Sequence, residues 1–229
     1  MSNSQFKMFA CDYDGTIASH GVVSANTEQA LIAAKQTGFL VTLITGREFE
    51  DLLSVCPQLH HLFDLVVAEN GAVLYLPESR EIENLASPPP TQFITELTRR
   101  GVPFSSGRVI ASISRIYEDQ VNSLIREFGL SLHVIYNKDA AMILPVGIDK
   151  ATGLRAGVKR FSIDPSQVIG AGDAENDLDF LQLCGFKVAV ANALDAVKAD
   201  ADWVAKQPNG DGIAEFVREY LKIDTVSGK

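Results

Sequence analysis

"FKMFACDYDGTIASHG", residues 6–21, is the stretch on which the reading of this chain turns. Residues 6–11 form a nearly continuous apolar run, the pattern of a strand covered on both faces in a parallel sheet. The run ends in two aspartates, Asp12 and Asp14, one residue apart, and Gly15 and Thr16 follow at once. Like charges this close repel, and at the mouth of a buried strand both lose hydration. A single aspartate after a strand is ordinarily a turn former or a helix N-cap. That explains this pair poorly, because two carboxylates on one face do not both cap one helix. The stretch therefore asks for a positive partner.

Outward from this strand, strands and helices alternate. Ser24 or Asn26 is placed to cap a helix running to about residue 36, and Gly38 stops it. "FLVTLIT" (39–45) is a second buried strand, after which Gly46 and Arg47 open another helix. "FDLVVAE" and "AVLYL" flank Asn70-Gly71, a two-residue hairpin signal. Near the end, "SQVIGAG", "FKVAV" and "DWVA" read as strands, with helices over 176–183, 194–199 and 211–222. This is the α/β class, a Rossmann-like and mostly parallel sheet with right-handed crossovers. The final "DTVSGK" (224–229) is expected to fray.

The middle reads differently. "PESREIENLASPPP" (77–90) is polar and proline-rich, a stiff linker. Its three consecutive prolines suit a hinge better than a polyproline ligand, since no flanking specificity accompanies them. A helix (91–100), a hairpin-like pair around 105–107, a helix (117–128) and two strands (132–136 and 140–144) follow. That is αββαββ, a small α+β domain inserted as a cap. The expected division is a core of residues 1–77 and 148–229 and a cap of residues 78–147, the cap moving as a rigid body about its two connections.

Composition bounds the function. Of 229 residues, 46% are hydrophobic and 21% charged, enough for an ordinary packed core. A net charge of −9 argues against affinity for nucleic-acid phosphates. It leaves room for a small anionic substrate, because a metal or a few local cations reverse the field in one cleft. Cys11, Cys56 and Cys184 are far apart with no CxxC, as expected of buried free thiols in a reducing compartment. Neither a signal peptide nor a run of roughly 18 apolar residues is present, so a cytoplasmic protein is expected. Nothing in the chain speaks to oligomeric state. His60 and His61 are adjacent, point apart and make a poor metal pair.

Ligands of open α/β sheets bind at the carboxyl ends of the strands. Four polar clusters fall there or just after a return connection: residues 12–16, residues 45–47, Lys150, and "GDAEND" at 172–177. Calcium-loop spacing fails from both Asp12 and Asp173, because the positions for Gly and Glu hold Ile17 and Val23, or Leu178 and Cys184. "GAGDAEN" fails as a dinucleotide fingerprint, with Glu175 in the place of the third glycine, and no P-loop is present. A hard cation between Asp12 and Asp173 would relieve the repulsion; Mg²⁺ prefers a few carboxylates, waters and a phosphate oxygen. The Thr45 hydroxyl and the Gly46 N–H at a helix start, with the Lys150 ammonium, would meet the other side of a phosphoryl group.

The order "DYDGT", "TGR", a lysine after "P-x-G-x-x-K", then "GDAEND" resembles the haloacid dehalogenase superfamily of phosphotransferases. The "GIDKATGL" stretch and the position of the insertion resemble its Cof-type branch with a type IIB cap. The resemblance spans essentially the whole chain. It implies that Asp12 is the nucleophile forming an aspartyl-phosphate, and that Asp14 protonates the leaving oxygen and then activates water. It further implies Mg²⁺ held by the Asp12 side chain, the Asp14 carbonyl and the Asp173 side chain. Thr45, Gly46, Lys150 and Asn176 would contact the phosphoryl group, and Asp177 would orient Lys150 or metal-bound water. Arg47 is left between touching substrate and covering the helix, and Glu69 and Asn70 border the substrate side. The implied partner is a small phosphorylated metabolite, of the sugar phosphate or phosphoglycolate class, with no nucleic acid and no membrane. Arg108, Arg115, His133 and Lys138 are cap residues that would read it if they are not plain surface charges. A non-catalytic phospho-ligand-binding protein and a phosphotransferase are the alternatives; the first would lack the nucleophile or the acid/base, and both residues are present.

Overall fold

The computed structural model describes residues 5–137 and 139–225; Lys138 and the last part of the tail lie outside the described residues. The first stretch runs through β1 (Met8–Asp12), β2 (Ala18–Ser19), β3 (Val22–Val23), α1 (Ala25–Gln36), β4 (Leu40–Ile44), α2 (Phe49–Val55), α3 (Leu59–Leu62), β5 (Leu65–Ala68), β6 (Val73–Leu76) and β7 (Glu81–Asn84). Then come α4 (Thr91–Arg99), β8 (Phe104–Ser106), β9 (Ala111–Ser114), α5 (Glu118–Glu127), β10 (Leu132–Asn137) and β11 (Ala140–Pro145). The chain closes with α6 (Lys150–Arg160), β12 (Val168–Gly172), α7 (Leu178–Leu181), β13 (Phe186–Ala189), α8 (Asp195–Asp200), β14 (Trp203–Val204) and α9 (Asn209–Glu219).

The large sheet has the order β14-β13-β12-β1-β4-β5-β6-β7, and it is parallel from β14 to β5. β1 lies in its middle and every residue of it is buried, which is why the sequence shows an apolar run and no alternation. Ser24 caps α1 through its side chain, accepting the Thr27 N–H at 3.2 Å. The smaller sheet, β10-β11-β9-β8, is antiparallel. Phe93 and Leu97 of α4 and Val121 and Leu124 of α5 pack with Ala111, Ile113, Ala141 and Ile143 of that sheet as a separate apolar cluster.

Three expectations change. Glu81–Asn84, inside the segment read as linker and cap, is a strand that pairs with β6 at the edge of the large sheet. Its charged, exposed residues suit a protected edge strand and therefore look like linker in the sequence. The Asn70-Gly71 hairpin is not a two-residue turn: Ala68 pairs with Val73, leaving four residues between the strands. Glu69, Asn70 and Gly71 all have positive φ (52°, 55° and 103°), and the Glu69 and Asn70 N–H groups donate to the carbonyls of Arg47 and Thr45. Finally, α2 begins at Phe49, later than expected, so Thr45 does not stand at a helix N-terminus. The Thr45 hydroxyl instead accepts the Arg47 N–H at 3.1 Å, closing a local turn.

Helix α6 lies hard against β5 and the 69–71 turn. Gly153 and Gly157 make this possible, because a Cβ on either would overlap Val67 or Leu65. Gly71 is doubly required, since its φ is +103° and a Cβ there would overlap the Asp149 carbonyl. Gly71→Ala is therefore expected to destabilise the protein by about 2–4 kcal/mol, combining left-handed strain with overpacking. Gly101 also has positive φ (+68°) but faces open space. Gly101→Ala should cost only about 1–2 kcal/mol, and urea unfolding of the two variants checks the difference.

Candidate active site

The register of three parallel strands assembles the site. Asp12 pairs with Ile44, so Thr45 is the next residue along β4. Cys11 pairs with Ala171, so Gly172 and Asp173 run out beside Asp12. One edge of the sheet thus receives Asp12, Thr45 and Asp173 from sequence positions far apart. Gly15, at φ +93°, turns the chain back; a Cβ there would overlap the Asp173 carboxylate. Thr16 donates its hydroxyl to Asp173 Oδ1 at 2.9 Å, tying the first and last motifs together.

Lys150 is the first residue of α6, which the Asp149–Thr152 capping box fixes in place. Its ammonium donates to Asp12 Oδ1 at 2.6 Å and to Asp177 Oδ1 at 2.5 Å, and it is 1% exposed. Asp177 Oδ2 accepts the backbone N–H groups of Asp173 and Ala174 at 2.8 and 2.9 Å. Burial, then the Asp177 charge, push the Asp12 carboxyl above the usual carboxylate range, with Lys150 pulling the other way and Asp173 adding to the push. Burial opposes the charge on Lys150, but Asp12 and Asp177 override it and hold the ammonium above its ordinary range.

Ligand atoms of Asp12, Asp173 and Asp177 lie within 4.8 Å of one another. These three carboxylates and one ammonium leave a formal charge of about −2, matched by one divalent cation. The donors are hard oxygens, which fits Mg²⁺. Asp177 accepts from Lys150 and from the 173–174 backbone, which suits it to fix Lys150; Asp12 and Asp173, at the ends of neighbouring strands, are the side chains that would hold the ion.

Asp14 is gripped by Arg47, whose Nε and Nη2 donate to its two oxygens at 2.6 and 2.8 Å. Arg47 Nη1 reaches Asp51 Oδ2 at 2.6 Å. The Asp14 hydrogen bonds outweigh burial and raise the guanidinium above its ordinary range. Arg47 therefore holds Asp14 and, through Asp51, the first turn of α2.

A cavity of about 370 Å³ opens over these groups. The core contributes Asp12, Asp14, Thr45, Gly46, Arg47, Glu48 and Asp51. The smaller sheet contributes Ser105, Ser112, Asn137, Ala140 and Met142. These cap residues carried no signal in the sequence, because small polar residues on a strand look alike whichever sheet they face. Lys150 and Asn176 are not on the cavity wall. Lys150 sits behind Asp12. Asn176 instead faces a second cleft with Asn70, Arg115 and His133, and its Nδ2 donates to Asn70 Oδ1 at 3.1 Å. Glu69 is fully buried and does not border the cavity. Arg108 reaches Asn84 and Glu50, away from the cavity wall. The cysteines take no part: burial pushes the Cys56 and Cys184 thiols up to about 11 and about 12. No helix among the described residues is long and apolar enough to cross a membrane.

The model of the haloacid dehalogenase-like hydrolase family matches residues 9–99 and 110–217. A phosphoglycolate phosphatase of Methanothermobacter thermautotrophicus is 30% identical over 94% of this chain and 99% of its own. Phosphoglycolate phosphatase 2 of Saccharolobus solfataricus is 31% identical over 93% of this chain and 92% of its own. Among solved structures, a sugar phosphatase of haloacid dehalogenase subclass IIB superposes with a TM-score of 0.75 at 21% identity, covering 95% of this chain and 100% of its own. With the sequence motifs, the sheet-edge geometry and these matches together, the chain belongs to the haloacid dehalogenase-like hydrolase family, as a phosphoric monoester hydrolase.

Proposed function

We propose that the chain hydrolyses a small phosphorylated metabolite with Mg²⁺ through an aspartyl-phosphate on Asp12. The observation that carries this reading is the buried Asp12–Lys150–Asp177 array beside Asp173. Such an array is costly to build for stability alone, since buried charges are rarely a net gain. Bound Mg²⁺ would supply the positive charge that lets a phosphate dianion approach a carboxylate.

In the proposed sequence the free oxygen of Asp12 attacks phosphorus while Lys150 holds the other oxygen. The bond from phosphorus to the leaving oxygen breaks, and Asp14 gives that oxygen a proton. Asp14 then takes a proton from water as the water attacks the aspartyl-phosphate, releasing phosphate and restoring Asp12. Arg47 donates to both Asp14 oxygens, so it must release at least one of them for Asp14 to reach the leaving oxygen when substrate binds. The phosphoryl oxygens are the acceptors to which it would turn, alongside the Thr45 hydroxyl and the Gly46 N–H.

The cavity wall bears on the substrate class. Among the described residues lining it, Arg47 is the cation, and its donors are engaged by Asp14 and Asp51. Beyond Asp12, Asp14 and Thr45, the rest of the polar wall is Glu48, Asp51, Ser105, Ser112 and Asn137, with Asn137 Oδ1 lacking a partner among the described residues. An acceptor-rich wall suits a leaving group carrying hydroxyls better than one carrying a carboxylate. A sugar phosphate is thus favoured over phosphoglycolate. The test is p-nitrophenyl phosphate hydrolysis with Mg²⁺ and with EDTA, followed by ranking phosphorylated metabolites by kcat/KM. Release with Mg²⁺ and its loss in EDTA are expected, with sugar phosphates ahead of phosphoglycolate. A folded protein with no metal-dependent release would overturn the proposed mechanism; the reverse ranking would overturn only the substrate class.

A further inference from the structure

Glu69 has no part in the chemistry above, yet it is fully buried. A buried carboxylate is costly unless hydrogen bonds meet its charge. Here four backbone N–H groups do so. Phe49 and Arg108 donate to Oε1 at 3.3 and 2.8 Å, and Val109 and Ile110 donate to Oε2 at 2.7 and 2.9 Å. Phe49 starts α2 directly after the Thr45–Arg47 turn, whereas residues 108–110 form the cap turn between β8 and β9. The Glu69 N–H also donates to the Arg47 carbonyl at 3.0 Å. One residue therefore joins the cap turn to the loop that carries the phosphate-facing groups.

The joint has an apolar half. Val109 and Ile110 are buried in the hydrophobic cluster of the large domain, not in that of the cap. Gly107 lets the turn come this close, because a Cβ there would overlap the Glu69 carboxylate. On either side of the turn, β8 brings Ser105 and β9 brings Ser112 to the cavity wall, and Ser105 donates to Glu48 across it. A cap hung only on its two covalent connections would leave these contacts unplaced; a third joint beside the cavity places them.

We propose that Glu69 is a positioning residue that pins the β8–β9 turn of the cap to the Thr45–Arg47 turn, and so sets the distance at which Ser105 and Ser112 meet the leaving group. Its effect on turnover rests on the phosphatase reading; the pin itself does not. The Arg108–Val109 bond is a tryptic site held within the pin, which gives a readout independent of activity. In Glu69→Gln the amide offers one acceptor oxygen and turns its NH₂ toward the remaining donors. Cleavage at Arg108 under limiting trypsin should then rise about tenfold or more. The kcat/KM for p-nitrophenyl phosphate, whose ring must meet the cap, should fall about tenfold, mostly through KM, while that for acetyl phosphate changes less than about threefold. Gly107→Ala displaces the turn from the cap side with Glu69 intact and should give the same pattern, which covers the case in which the Glu69 variant does not fold. Circular dichroism confirms folding. Unchanged tryptic cleavage in the folded variants overturns the pin. An equal loss on both substrates overturns its positioning role. Absence of turnover in the wild-type protein counts against the phosphatase reading and leaves the proteolysis result to decide the pin.

Discussion

Asp12→Asn is expected to abolish turnover while leaving the fold intact. Asparagine has nearly the same volume, and its carbonyl oxygen can still accept from Lys150, which sits 2.6 Å from Asp12 Oδ1. It cannot act as the nucleophile. A loss of about 10⁴-fold or more in kcat is expected on removal of the attacking group. Stability should move by no more than about 1–2 kcal/mol, since the change trades one buried charge for a neutral hydrogen-bonding group. Steady-state hydrolysis of p-nitrophenyl phosphate and thermal melts measure both. Activity within tenfold of wild type would remove Asp12 from the nucleophile's role, and the proposed covalent route with it.

Lys150→Met should have the largest effect on stability. It leaves Asp12 and Asp177 buried side by side with no ammonium between them. Breaking a buried pair by removing one partner costs about 3–5 kcal/mol. For a protein of this size that is a fall of about 10 °C in Tm. A divalent cation at Asp12 and Asp173 would return part of the lost positive charge. Added Mg²⁺ should therefore raise the Tm of the variant more than that of the wild type, and EDTA should abolish the difference. A variant as stable as wild type without metal would overturn the view that the ammonium is what offsets burial of these two carboxylates. Turnover should fall at least about 100-fold in the same variant.

Much of the site was legible because its chemistry is packed into short segments at strand ends. Asp12 ends a buried strand and Asp14 and Asp173 come just after one, and a strand's apolar run can be read without knowing its neighbours. The class of the fold was legible for the same reason. β7 was not, because Glu81–Asn84 is a charged edge strand whose only strand partner among the described residues is β6. The start of α2 was misjudged because the Thr45–Arg47 turn is held by Glu69 and Asn70 from the turn between β5 and β6, beyond the reach of local capping rules. The orientation of Arg47 and the cavity wall of Ser105, Ser112 and Asn137 depend on contacts between segments far apart in the chain. The end of the tail expected to fray lies outside the described residues.

By itself, then, the sequence determined that two carboxylates end a buried strand, that two further motifs stand at matching strand ends, and that a lysine follows the return connection. That follows from local burial patterns and from side-chain chemistry that needs no partner to be recognised. The tertiary structure alone decided which charges meet: Lys150 on Asp12 and Asp177, Arg47 on Asp14, and Glu69 on the cap turn. Pairings of this kind are set by sheet register and by the close approach that Gly15, Gly71, Gly107 and Gly153 permit. The energy of a buried charge depends on its neighbours in space, and no local pattern in the chain encodes them.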